Sequence, residues 1–175
     1  MKGPKDEAGF TLIELLVVVA IIGILAAIGV AQATRARVTA NETAAVGSMR
    51  AINGGQMSYA SAAGQGGFAT SLTVLATPCM GSPRGFISPD LDPTAPGVTA
   101  SGATGVMKSG YTIDVTGNAA AGPNDCNGTP TDTDYVASAV PLTPGVSGVR
   151  GFNTSGGGTI FFDSAGTANG TAPIQ

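Results

Sequence analysis

Residues Phe10 to Ala31 read FTLIELLVVVAIIGILAAIGVA, 22 residues that carry one charge, at Glu14. At about 1.5 Å per residue a helix of this length runs roughly 33 Å, enough to cross the hydrocarbon core of a bilayer. A short polar leader, Met1 to Gly9 (MKGPKDEAG), precedes it. Three readings fit the pair. It is a secretory signal, for which Ala31-Gln32-Ala33 offers a small-x-small cleavage site. It is a permanent single-span anchor. Or the leader alone is removed and the apolar helix stays on the mature chain.

Glu14 bears on that choice. A carboxylate inside an apolar span costs about 2.5–3.5 kcal/mol at its centre and less near an end. A discarded signal core has no use for such a residue, whereas an intramembrane acid points to a function and a partner. A cut between Gly9 and Phe10 would create an α-amine four residues before Glu14. The amine of one copy could then neutralise the acid of a neighbour. The plainer alternative is a carboxylate that snorkels to the cytoplasmic interface.

The stretch Gly9-Phe10-Thr11-Leu12-Ile13-Glu14-Leu15-Leu16, continued by VVVAIIGILAA from Val17 to Ala27, resembles the N-terminus of type IV pilins and type II secretion pseudopilins. The likeness rests on Gly, Phe and Glu at fixed offsets. It implies a prepilin peptidase that cuts after Gly9 and methylates the new N-terminal Phe10. It also implies an assembly role for Glu14, through the amine of an adjacent subunit, and an inner-membrane assembly platform. Two features depart from the family pattern. Ala31 stands where many members carry a helix-kinking Pro, although Gly23 and Gly29 weaken the helix nearby. The leader sets Asp6 and Glu7 against Lys2 and Lys5, while Arg35 and Arg37 follow the span, so charge hardly orients it. The N-in orientation comes from the resemblance.

Beyond Ala31 the helical period continues. Val38, Ala45, Met49, Ile52 and Tyr59 share one face, and Asn41, Glu42, Ser48 and Arg50 fall elsewhere. Gly54-Gly55 is a weak point, and Gly64-Gln65-Gly66-Gly67 is a terminator. One helix is therefore expected over 10–63, apolar all round in its first half (10–31) and striped in its second. Ala20, Gly23, Ala26, Ala27 and Gly29 would let such helices approach closely.

From 64 to 175 a globular head is expected. Residues 68–108 read as loop, with Pro at 78, 83, 89, 93 and 96 and one helical turn near 71–76. Strands are expected at 110–116, 135–140, 149–154 and 159–163, the last two joined as a hairpin by Ser155-Gly156-Gly157-Gly158. Residues 118–134 are too polar and Gly/Pro-broken for an element, and the tail after Ala165 reads as frayed. The fold class is α+β: a long N-terminal helix packed on a small antiparallel sheet, as the resemblance to pilins also implies.

Composition excludes more chemistry than it offers. The 175-residue chain has no His, which removes Ser-His-Asp and Cys-His catalysis and imidazole zinc sites. Its net charge is −3, and from Ala51 onward three basic residues face seven acidic ones, so no nucleic-acid partner is expected. Cys79 and Cys126 are the only cysteines. An oxidising compartment favours a disulfide between them, the alternative being two buried thiols. Asp125, Asp132 and Asp134 form a weak Ca²⁺ candidate on a spacing that matches no motif, and a solvated acidic loop is preferred. No catalytic constellation and no cofactor are expected.

The expected role is a structural subunit of a type IV pilus-like extracellular filament, serving adhesion, motility, DNA uptake or surface attachment. The chain would rest in the inner membrane as a precursor and self-associate through its N-terminal helix. The alternative is a pseudopilin in a periplasmic pseudopilus; outside this class, a secreted or anchored binding protein.

Overall fold

Helix α1 (Leu12–Ala62) runs without a break in the computed structural model, which describes residues 9–102 and 104–174. Most of the expected leader, residues 1–8, lies outside the described residues. The rest falls into two compact units that divide between Ala36 and Arg37.

In the first unit the apolar run is helical from Leu12, and from there to Val30 it is solvent-exposed around its whole circumference. In the second unit α1 buries one stripe. Ala45, Met49, Ile52 and Tyr59 are buried and Val38 is half-buried, which is the face that the spacing picks out. The stripe meets a seven-stranded antiparallel sheet of order β1-β2-β3-β6-β7-β8-β9. Its strands are β1 (Thr99–Ser101), β2 (Gly105–Lys108), β3 (Tyr111–Gly117), β6 (Tyr135–Pro141), β7 (Gly151–Ser155), β8 (Ile160–Asp163) and β9 (Ala172–Pro173). Strands β3 and β6 alternate as a half-buried sheet requires. Tyr111, Ile113 and Val115 with Tyr135, Ala137 and Ala139 fill the core, and Asp114 and Ser138 pair on the outer face. The architecture is an α+β, pilin-like fold.

α1 stops where the glycines begin. Gly64 and Gly66 N–H donate to Tyr59 and Ala60 carbonyls, and the chain turns through Gln65 at φ 52° and Gly66 at φ 94°. A Cβ on Gly64 would strike the Gly67 carbonyl and the Tyr59 ring, so the terminator needs glycine there.

Three expectations for the head are corrected. The stretch 68–108 is not all loop: β1 and β2 lie within it, besides helix α2 (Leu72–Ala76), capped by the Ser71 hydroxyl. These strands are short and split by Gly102 at φ 68°, and they form as two successive tight hairpins, β1 onto β2 and β2 onto β3. Residues 118–134 also form an element, a two-stranded ribbon of β4 (Ala121–Asn124) and β5 (Pro130–Asp132). Buried Thr131 ties it by donating to the Pro123 carbonyl. The tail is anchored, with β9 pairing to β8 and Ile174 N–H donating to the Ile160 carbonyl. In each case the pairing is local but the segment is two to four residues long, and short polar or Gly/Pro-bearing segments give no periodicity to read.

The Gly54-Gly55 pair does not interrupt α1, and its two members differ. Nothing approaches the position of a Gly54 Cβ, but a Gly55 Cβ would lie 2.8 Å from Ile87 Cγ2 and 2.9 Å from the Phe86 carbonyl oxygen. Gly55 thus admits the 86–87 segment, whose Phe86 ring meets Tyr59 edge-on at 5.4 Å. Gly54→Ala should raise head stability by up to about 1 kcal/mol, the helix-propensity gain. Gly55→Ala should lower it by about 1–3 kcal/mol, because overpacking against backbone outweighs that gain. Thermal melts of the two variants check the opposite signs.

Candidate functional site

The candidate site is the N-terminal segment itself. Gly9 and Phe10 are exposed and lie just before α1, Phe10 at 88%, so the expected scissile bond is accessible. Thr11 and Glu14 form a capping box at the helix start. Glu14 Oε2 accepts the Thr11 N–H at 2.9 Å and the Thr11 hydroxyl at 2.6 Å, and Thr11 Oγ1 accepts the Glu14 N–H at 3.3 Å. The T-x-x-E signature for this was present in the sequence, but it went unread behind the cost of an intramembrane acid. In the single chain the carboxylate is therefore engaged by its own helix end, and any partner in an assembly must compete with Thr11.

From Leu12 to Val30 the segment presents Leu, Ile and Val on every side, and none of these side chains is covered within the chain. Among the described residues, this is the stretch long and apolar enough to cross a membrane. Gly23 and Gly29 have open space where a Cβ would stand, leaving room for another backbone to approach.

A different set of residues holds the head to α1, and sequence reading missed it. Glu42 was placed off the apolar stripe, yet it is only 6% exposed. Its Oε1 accepts the backbone N–H groups of Val149 and Arg150, each at 3.0 Å. Its Oε2 accepts Nε and Nη2 of Arg150 at 2.9 and 2.7 Å. Burial opposes the charge on Glu42, but these four donors outweigh it and hold the carboxyl below the ordinary Glu range. Burial, and then the nearby Glu42 charge, push the Tyr111 phenol up to about 12. Further along α1, Asn53 donates to Thr154 and Gly158 and accepts from the Tyr135 hydroxyl. Buried Gln56 makes a two-way pair with the backbone of Ala69. Only the contact partners, remote in sequence, mark these polar residues as interior.

Cys79 and Cys126 are bonded, with Cα atoms 5.7 Å apart, tying the loop after α2 to the β4–β5 turn. A closed loop of this length stabilises by roughly 4 kcal/mol at most on the chain-entropy model. The three aspartates of the weak Ca²⁺ candidate do not converge. Asp125 accepts from the Tyr59 hydroxyl and from the N–H groups of Asn127 and Thr129, and Asp134 accepts from Tyr135 and Gly156 N–H. Among the described residues no group of three or more His, Cys, Asp or Glu gathers as metal ligands.

Compared with known protein families, residues 4–30 match the prokaryotic N-terminal methylation motif. No curated protein and no solved structure matches the chain. The chain carries the prepilin motif of type IV pilins and pseudopilins, which implies processing by prepilin peptidase and assembly into filaments. Motif and fold together indicate a structural subunit.

Proposed function

We propose that this protein is the subunit of a type IV pilus-like extracellular filament, inserted in the inner membrane as a precursor and cut after Gly9 to expose a methylated Phe10. The carrying observation is an α1 segment apolar on all sides, uncovered within its own chain, with one acid four residues past Phe10. In lipid, such helices gain little hydrophobic drive to associate, so close approach at Gly23, Ala26, Ala27 and Gly29 and the Glu14–amine pair select the neighbour. Once the segment leaves the bilayer, each large apolar side chain shielded by neighbours contributes about 1.5–3 kcal/mol before entropic losses. Assembly then exchanges lipid contacts for subunit contacts, and Glu14 exchanges its Thr11 cap for the α-amine of an adjacent copy. Peptidase, motor and platform are separate proteins in this reading.

Gly9→Val tests the processing step without disturbing the fold, since the position is exposed and uncrowded. The variant should accumulate in the membrane at precursor mass with no surface filaments. A mature mass identical to wild type would place the cut elsewhere. Deleting the chain should abolish long sheared filaments visible by electron microscopy. Loss of protein secretion with no such filaments in wild type would instead identify a pseudopilus.

A further inference from the structure

The head carries opposite charges without ionic partners on its two sides. Among the described residues, its ion pairs are Lys108 with Asp90 and Arg150 with Glu42. On the helix side, α1 and β7 enclose a concavity of about 250 Å³, with Val46, Phe152 and Ile174 in its wall and Arg50 and Arg150 at its rim. Glu42 lines it too, but all four hydrogen bonds described above already engage that carboxylate. Its charge cancels that of Arg150, and the exposed Arg50 guanidinium is left uncompensated.

On the other side lies the outer face of the sheet. Asp114 stands there in the middle of β3, between core residues Ile113 and Val115, directly across from Ser138 on β6. Among the described residues its side chain accepts only the N–H of the next residue, Val115, and no cation meets it. The other unpaired head carboxylates differ. Asp92, Asp125, Asp134 and Asp163 are held by hydroxyls or backbone N–H groups, including the Tyr59 hydroxyl for Asp125 and the Gly156 N–H for Asp134, and Asp132 lies against Gly117 at the end of β3.

From this we infer that Asp114 on the outer sheet face of one copy docks into the Arg50–Arg150 concavity of a second copy. The inference rests on the filament reading and names a head contact within it. A patch that meets a different patch makes a heterologous contact, the kind that propagates an open polymer instead of closing a dimer. Apolar side chains beside the guanidinium groups reduce the water around an entering carboxylate, and the uncompensated fork of Arg50 fixes its direction. Such a pair sets register and partner choice more than overall affinity.

Charge reversal tests it on the full-length chain expressed in its own host. Arg50 is exposed and Asp114 half-exposed, so Arg50→Glu and Asp114→Arg should fold, with wild-type melts and an intact Cys79–Cys126 bond. Each single variant should lose at least about tenfold in sheared filament yield, because like charges then face each other at every contact. The Arg50→Glu/Asp114→Arg double variant should recover most of the wild-type yield, whereas Arg50→Glu/Asp132→Arg should not. Single variants that assemble normally, or rescue by Asp132→Arg as good as by Asp114→Arg, overturn the contact. Absence of filaments from wild type under the same conditions would overturn the filament reading itself.

Discussion

Replacing Glu14 with Gln should leave the chain inserted in the membrane and its helix capped, yet stop filament assembly. The substitution separates two roles that alanine would merge. Gln still satisfies a T-x-x-E/Q capping box, so the hydrogen bonds with Thr11 survive in neutral form. What it removes is the charge. Glu14→Ala also removes the cap, at about 0.5–2 kcal/mol of helix-end stability, which a 51-residue helix tolerates. Both variants should fractionate with the membrane at wild-type level and yield filaments reduced at least a hundredfold, as counted on shearing. If Gln assembles normally and only Ala fails, Glu14 is a helix cap and the amine pairing is wrong.

The second large effect is expected in the head, at Glu42. Removing one partner of a buried ion pair leaves the other group and its hydrogen-bonding neighbours unsatisfied, which costs about 3–5 kcal/mol. Glu42→Ala strands two backbone N–H groups and one guanidinium. Arg150 is 44% exposed at its side chain and regains water, so the lower end of that range is expected, about 3 kcal/mol or roughly 10 °C in melting temperature. Because Tyr59, Tyr111 and Tyr135 all lie in the head, near-UV circular dichroism of the full chain in detergent follows this transition. Loss of less than about 1 kcal/mol would mean that the clamp is dispensable.

Acid sensitivity follows from the same residue. The folded carboxyl lies below its ordinary value, so its stabilisation is complete above about pH 4.3 and is lost as pH falls through the folded value. Head stability should therefore hold flat from neutral pH to about pH 5 for this group and decline below pH 4. Glu42→Gln should flatten that decline. Asp90, lowered by Lys108, and Asp163, lowered by Thr167, add in the same direction, but both are solvent-screened.

How far the sequence could be read depended on where the partners of each residue lie. The apolar run declares itself because 22 residues with a single charge have few other physical uses. The stripe through Ala45, Met49, Ile52 and Tyr59 was legible because a helical period is a local property. Strands β3, β6, β7 and β8 were legible to within one or two residues because β3 and β6 alternate and all four carry β-branched or aromatic residues between turn residues. The ribbon β4–β5 was hidden: Gly122, Pro123 and Pro130 suit a loop, and only Thr131 reaching Pro123 makes it a structure. Likewise Glu42 falls off the apolar stripe and its burial shows only once the fold brings Arg150 to it, and the interior place of Gln56 rests on its pairing with Ala69. Polar interior sites of this kind are specified by tertiary pairing, which one sequence does not display.

The central claim is that the apolar front end persists in the finished molecule and is buried among copies. Intact-mass spectrometry of native material sheared from the cell surface tests this most directly. The account predicts polymeric material whose chain begins at an N-methylated Phe10. A chain that begins at Thr34, or one that keeps Phe10 yet sediments as single soluble molecules, would contradict it.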